Sequence, residues 1–266
     1  MDGRMIRALF FDIDGTLADN RSHQIHPTDI RSLAALKEKG YLLFAATGRD
    51  LLIPEEMEIL EPVRHLLSGF IDVNGQHIQL ADGTDIANHP IDDWDFFAIR
   101  RCCEENGFSM LYRNGYTNHL TAHTFRAGRY WQHMGLPMPQ IRPMDPGYRS
   151  VPKLCIHISP EEEETLLRPL MRHTWAARIT EDIIDMIPEG IGKSSGIREI
   201  CAHFGIGAGQ TMAFGDGQND LDMIHAAGIG VAMGNGKENI KAAAAYVTAP
   251  AAEAGVTQAL RHFELI

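Results

Sequence analysis

Ala8-Leu9-Phe10-Phe11-Asp12-Ile13-Asp14-Gly15-Thr16-Leu17 decides how the rest of the chain is read. Four consecutive apolar residues are the pattern of a short strand buried on both faces. They run directly into two carboxylates one residue apart and then a glycine, so the strand ends by presenting acids on a flexible turn. Packing has no use for such a pair, whereas chemistry does. D-x-D-G also opens calcium loops. An EF-hand loop, however, has its glycine at position six, occupied here by Leu17, and follows a helix rather than a strand.

Outward from that stretch, apolar runs alternate with helical patterns. Ile6–Phe11 reads as a strand, and Pro27-Thr28-Asp29 opens a helix that Gly40 stops. Tyr41–Ala46 is a second strand, ending in Thr47-Gly48-Arg49. Gly69–Val73 is a third, ending in Asn74-Gly75. After Pro188 the rhythm returns: helix Ser194–Phe204, strand Thr211–Phe214, helix Asn219–Ala227, strand Ile229–Met233, helix Lys237–Ala245, strand Tyr246–Thr248 and helix Glu253–Phe263. Strands alternating with helices predict an α/β fold, a Rossmann-like three-layer core around a mostly parallel sheet.

The middle of the chain has a different character. Asp92–Asn106 reads as a helix closed by Gly107, and Asn114-Gly115 as the two-residue turn of a hairpin, both turn positions at positive φ. Ser159-Pro160-Glu161-Glu162 has the spacing of a capping box, with strands Lys153–Ile158 and Ile183–Ile187 on either side. Residues 83–188 are therefore expected to form an α+β cap inserted into a core made from 1–82 and 189–266.

Composition narrows the function. The chain has 266 residues and a net charge of −11, which argues against nucleic acid as a partner. No apolar run reaches the length of a membrane span, and the amino terminus lacks a secretory leader pattern, so a cytoplasmic protein is expected. The four cysteines lack C-x-x-C spacing and lie in apolar runs, as buried thiols do, and the thirteen histidines show no paired ligand spacing.

Polar clusters recur where apolar strands end, which is the ligand edge of an open α/β sheet. They are Asp12 and Asp14, then Thr47, then Asp216 to Asp220, with Lys193 at a helix start. The residue types suit phosphoryl transfer, in which catalysis is largely positioning and charge stabilisation. A carboxylate nucleophile attacking a phosphate dianion meets repulsion that a divalent metal offsets, and Asp12 and Asp216 are hard oxygen donors suited to Mg²⁺. Lys193 adds positive charge, Thr47 a hydroxyl, and Asp14 a general acid and base.

Phe11–Leu17, Thr47-Gly48-Arg49, Lys193 after Pro188-Glu189-Gly190, and Gly215-Asp216-Gly217-Gln218-Asn219-Asp220 resemble the four ordered motifs of the haloacid dehalogenase superfamily. Asn74-Gly75, Met233-Gly234-Asn235 and Gly255-Val256 are similar to positions of its Cof-type phosphatases, which carry a large cap between the second and third motifs. The resemblance implies Asp12 as nucleophile and metal ligand, Asp14 as acid/base with its backbone carbonyl on Mg²⁺, and Asp216 as the remaining metal ligand. It also implies that Thr47, Gly48, Lys193 and Asn219 bind the phosphorylated substrate and that Asp220 lies behind the metal or orients Lys193. The cap residues Arg113, His119, His123, Arg126 and Lys153 are candidates to reach a leaving group. One position departs from the family pattern: Ala251 stands where Asn is usual.

The expected activity is Mg²⁺-dependent hydrolysis of a small phosphorylated metabolite such as a sugar phosphate, bound between core and cap, by a monomer or small homo-oligomer. A phosphomutase or phosphotransferase using the same aspartyl-phosphate, and a non-catalytic phosphometabolite-binding protein, are the alternatives.

Overall fold

The computed structural model describes residues 5–134 and 137–266, in two compact units: residues 5–88 with 191–266, and residues 89–190 without the pair 135–136. In the first unit the strands are β1 (Ala8–Phe11), β2 (Leu42–Ala46), β3 (Gly69–Asp72), β4 (His77–Leu80), β5 (Asp85–Asn88), β11 (Thr211–Gly215), β12 (Ile229–Ala232) and β13 (Tyr246–Val247). They form one sheet in the order β13-β12-β11-β1-β2-β3-β4-β5. It is parallel from β13 to β3 and antiparallel only at the β3-β4-β5 edge.

Alternation along β1 makes the three layers. Leu9 and Phe11 face a core cluster shared with α1 (Pro27–Glu38) and α9 (Gly255–His262), through Leu33, Leu36 and Leu260. Ala8 and Phe10 face the opposite cluster, under α6 (Lys193–Phe204) and α7 (Leu221–Ala226), through Ile197, Ile200 and Met223. Each fully buried phenylalanine of this strand contributes about 2–3 kcal/mol from its apolar area. Two further helices, α2 (Pro54–Met57, with Pro54 at its first turn) and α8 (Glu238–Ala243), complete this unit.

The second unit is an antiparallel sheet, β7-β6-β8-β10-β9, built from β6 (Ser109–Asn114), β7 (Thr117–Leu120), β8 (Leu154–His157), β9 (Thr174–Thr180) and β10 (Ile183–Pro188). Its face carrying Met110, Tyr112, Ile156 and Met186 packs on α3 (Asp93–Asn106) through Phe96 and Ile99. The other face packs Leu111, Cys155 and Ile183 against α4 (Phe125–Met134). α5 (Pro160–Glu162) starts with the Ser159 capping box, in which Ser159 Oγ accepts from Glu162 N–H and the Glu162 carboxylate from Ser159 N–H. All four cysteines are buried and outside any disulfide among the described residues. No helix among the described residues is long and apolar enough to cross a membrane.

Three details differ from the sequence reading. The units divide at Asn88/His89 and Gly190/Ile191 rather than at 82/83 and 188/189, because β5 pairs with β4 and so stays with the first sheet. The hairpin turn is Gly115-Tyr116, one residue later than expected: Asn114 pairs with Thr117, and only Gly115 has positive φ, the pattern of a turn with glycine first. Strands β4, β5 and β9 and helix α4 are not among the elements expected from the sequence. β9 is an edge strand whose apolar residues Trp175 and Ile179 stand half exposed, so its burial pattern is weak.

His157, in the centre of the second sheet, is buried. Its Nδ1 lies 3.3 Å from Ser109 O, and its Nε2 has no hydrogen-bond partner among the described residues. Burial lowers its pKa from 6.5 to about 4. Between those values the unfolded chain binds the extra proton and the native fold does not, so stability falls as pH falls through this window. This group accounts for a loss of about 3 kcal/mol at most. Urea denaturation of the wild type and His157→Leu at pH 7 and pH 4.5 checks it: the variant should lose clearly less stability on acidification.

Candidate active site

Strand registers bring the acids to one edge. β1 sets Phe11 opposite Phe214 of β11 and opposite Ala45 of β2. Asp12, Thr47 and Asp216 therefore leave the sheet at the same carboxyl end, and Asp12 N–H still donates to Phe214 O at 3.0 Å.

Lys193, the first residue of α6, reaches this edge fully buried. Its Nζ donates to Asp12 Oδ1 and Asp220 Oδ1, both at 2.6 Å. The other oxygen of Asp220 accepts the backbone N–H groups of Asp216 (2.9 Å) and Gly217 (2.8 Å). Asp220 thus spends both oxygens on holding the lysine and its own loop. Asp216 Oδ1 takes a hydrogen bond from the Thr16 hydroxyl at 3.3 Å. Gly15, at φ +84°, brings its backbone so close that a Cβ there would lie 2.3 Å from Asp216 Oδ2, and only glycine serves.

The electrostatics show a site short of positive charge. Burial, then the charge of Asp220, pushes the Asp12 carboxyl well above the usual carboxylate range, against the pull of Lys193. Burial first and Asp220 second push Asp216 up to about 6. On Lys193 burial acts downward, but Asp12 and Asp220 outweigh it and hold the ammonium above its ordinary value. One cation is shared among three carboxylates whose oxygens lie within 4.8 Å of one another. With Asp220 already saturated, Asp12 and Asp216 are the carboxylates that remain for a ligand. That donor set fits a hard divalent cation bound through few carboxylates.

Asp14 points elsewhere. Its two oxygens accept from Arg49 Nε and Nη2, each at 2.7 Å, and its side chain is 42% exposed. Thr47 is buried, its hydroxyl accepting Arg49 N–H at 3.0 Å and its carbonyl accepting Asn74 N–H at 2.9 Å. Gly48 lies against the Asn74 side chain, and Asn219 Nδ2 donates to Asn74 Oδ1 at 3.3 Å. The structure therefore gathers Asp12, Lys193, Asp216 and Asp220 directly, and links Thr47, Gly48 and Asn219 through Asn74.

The profile of the haloacid dehalogenase-like hydrolases matches residues 9–260. This chain belongs to the haloacid dehalogenase-like hydrolases. BT1666 from Bacteroides thetaiotaomicron, a phosphatase of this superfamily, superposes on the hydrolase with a TM-score of 0.90 at 27% identity, covering 100% of this chain and 97% of its own. The HAD subclass IIB sugar phosphatase BT4131 gives a TM-score of 0.87 at 34% identity, over 98% of this chain and 100% of that one. The HMP-PP phosphatase of Serratia proteamaculans is 28% identical over 249 residues, 89% of this chain and 87% of the relative. Within the family this hydrolase is of the Cof type, a phosphomonoester hydrolase.

Arg49, Asn74 and Asn235 belong to the hydrolase's site but carry no role in the sequence reading. Arg49 was part of a motif without a partner, and the structure pairs it with Asp14. Asn235 Nδ2 donates to Gly15 O at 2.7 Å, while its Oδ1 accepts Ala251 N–H at 2.9 Å, so it ties the first acidic loop to the segment near the carboxyl terminus. Its signal was positional: a polar residue just beyond strand β12, at the ligand edge.

Proposed function

We propose that this hydrolase is a Mg²⁺-dependent phosphatase of small phosphorylated metabolites, sugar phosphates among them, working through an aspartyl-phosphate on Asp12. The observation that carries the reading is the buried Asp12–Lys193–Asp220 chain beside Asp216. Lys193 occupies Asp12 Oδ1, which leaves Oδ2 to attack phosphorus. The bond from Oδ2 to phosphorus forms as the ester P–O bond breaks, and Asp14 protonates the departing oxygen. Water then attacks the phosphorus of the acyl phosphate, Asp14 takes its proton, and Asp12 and inorganic phosphate are released.

Thr47, Lys193, the Gly48 backbone and Asn219 hold the phosphoryl oxygens. Asp12, Asp216 and the Asp14 backbone carbonyl would hold Mg²⁺, which when bound offsets the repulsion between carboxylate and phosphate dianion. In this structure both Asp14 oxygens are engaged by Arg49, so proton delivery requires one of those bonds to open. In this reading residues up to 88 and from 191 on carry the chemistry, and residues 89–190 choose the leaving group.

A panel of phosphomonoesters, assayed with Mg²⁺ and with excess chelator, tests the reading. Free phosphate should appear only with the cation. A panel that stays intact defeats the proposal, as does ³¹P NMR showing isomerised sugar phosphate without free phosphate.

A further inference from the structure

Lys193 is the first residue of α6, a position that helices assign to anions or neutral caps, because the positive end of the macrodipole opposes a cation there. The residue before it, Gly192, has no side chain with which to cap the helix. The second backbone N–H of the first turn, that of Ser194, is instead satisfied by another helix: it donates to Asp222 Oδ2 at 2.9 Å. Asp222 is the second residue of α7, two residues beyond the Asp220 that grips the Lys193 ammonium. One helix start thus holds Lys193 at both ends. Asp220 takes the head of its side chain, and Asp222 takes the backbone turn from which that side chain springs.

The absent side chain at 192 belongs to the same arrangement. A Cβ on Gly192 would sit 2.4 Å from Asp222 Oδ2, so any larger residue displaces the carboxylate from Ser194 N–H. The first turn is otherwise closed by Ser195, whose hydroxyl accepts Gly192 N–H at 3.1 Å and donates to Gly192 O at 2.7 Å. These bonds fix the turn internally. Asp222 ties the backbone of this turn to the segment that follows Asp216 and Asp220.

We infer that Asp222 is a positioning residue for phosphoryl transfer, a cap supplied in trans that sets where the Lys193 ammonium stands against Asp12. The inference rests on the reading of Lys193 as the residue that binds the transferring phosphoryl group. A lysine mispositioned by a fraction of an ångström loses more transition-state stabilisation than ground-state binding, so the effect falls on kcat more than on KM.

The experiment compares Asp222→Ala, Asp222→Asn, Gly192→Ala and Lys193→Ala in steady-state hydrolysis, with circular dichroism to establish folding. Asp222→Ala and Gly192→Ala should lower kcat roughly ten- to a hundredfold with KM nearly unchanged. Asp222→Asn, which keeps an acceptor for Ser194 N–H, should restore most of the turnover. The inference is overturned if folded Asp222→Ala loses only thermal stability, with kcat and KM at wild-type values, or if Asp222→Asn falls as far as Asp222→Ala. Turnover surviving in Lys193→Ala overturns it together with the reading of the site, and that result separates the two failures.

Discussion

Asp12→Asn is expected to abolish turnover, by on the order of 10⁴-fold or more, while leaving the fold as stable as the wild type or more so. Loss of a nucleophile removes the covalent route altogether, and what remains is the assistance of positioning groups around an unassisted water. The stability arm follows from charge. Asp12 is buried beside Asp220 and Asp216, and its carboxyl is pushed up by burial and by Asp220. Asparagine keeps an oxygen for Lys193 Nζ, now 2.6 Å away, and removes one of the three crowded negative charges. In metal-free buffer the melting temperature should therefore hold or rise by a few degrees, at about 2–4 °C per kcal/mol for a chain near this size. Chelator-treated samples followed by differential scanning calorimetry, alongside phosphate release, provide the two readouts. An inactive variant that is also markedly less stable points to a packing role for Asp12 instead.

The opposing trends explain why much of this site is legible in the sequence. An acid that strains its surroundings must be surrounded by strong local pattern, and Asp12 stands directly behind four buried apolar residues. Thr47 and Asp216 follow strands of the same kind, and parallel pairing from β11 through β2 forces their ends together. Lys193 was legible because it opens a helix that packs on those strands through Ile197 and Ile200.

What the pattern did not carry is pairing between side chains distant in sequence. Nothing local to Arg49 shows that its guanidinium meets Asp14, and nothing near Asn235 shows that it reaches back to Gly15. Asp222 reads as an ordinary acid in the first turn of a helix, where the dipole favours it. Its bond to Ser194 depends on how α6 and α7 pack. The hairpin slipped for a smaller reason: Asn-Gly suits two positive φ values, but the register of β6 on β7 places Asn114 in the strand. Side-chain period fixes which face a residue takes, and the turn adjusts to it.

Lys193→Met should damage this fold as well as its activity. Methionine fills most of the lysine's volume, so no large cavity opens, but Asp12 and Asp220 are left buried without the cation they share. Breaking a buried ion pair by removing one partner costs about 3–5 kcal/mol, because the stranded charges have no water to turn to. Asp220 cannot swing away, since its second oxygen holds the N–H groups of Asp216 and Gly217. Turnover should drop about 10³-fold from the loss of a fixed charge at the phosphoryl group. Adding Asp220→Asn to Lys193→Met separates the two effects. It removes one stranded charge while keeping an acceptor for the loop, so the urea midpoint should recover in large part while turnover stays lost. A double variant that remains as unstable as the single one would mean that methionine fails by packing, and that the buried triad is not what holds this edge of the sheet together.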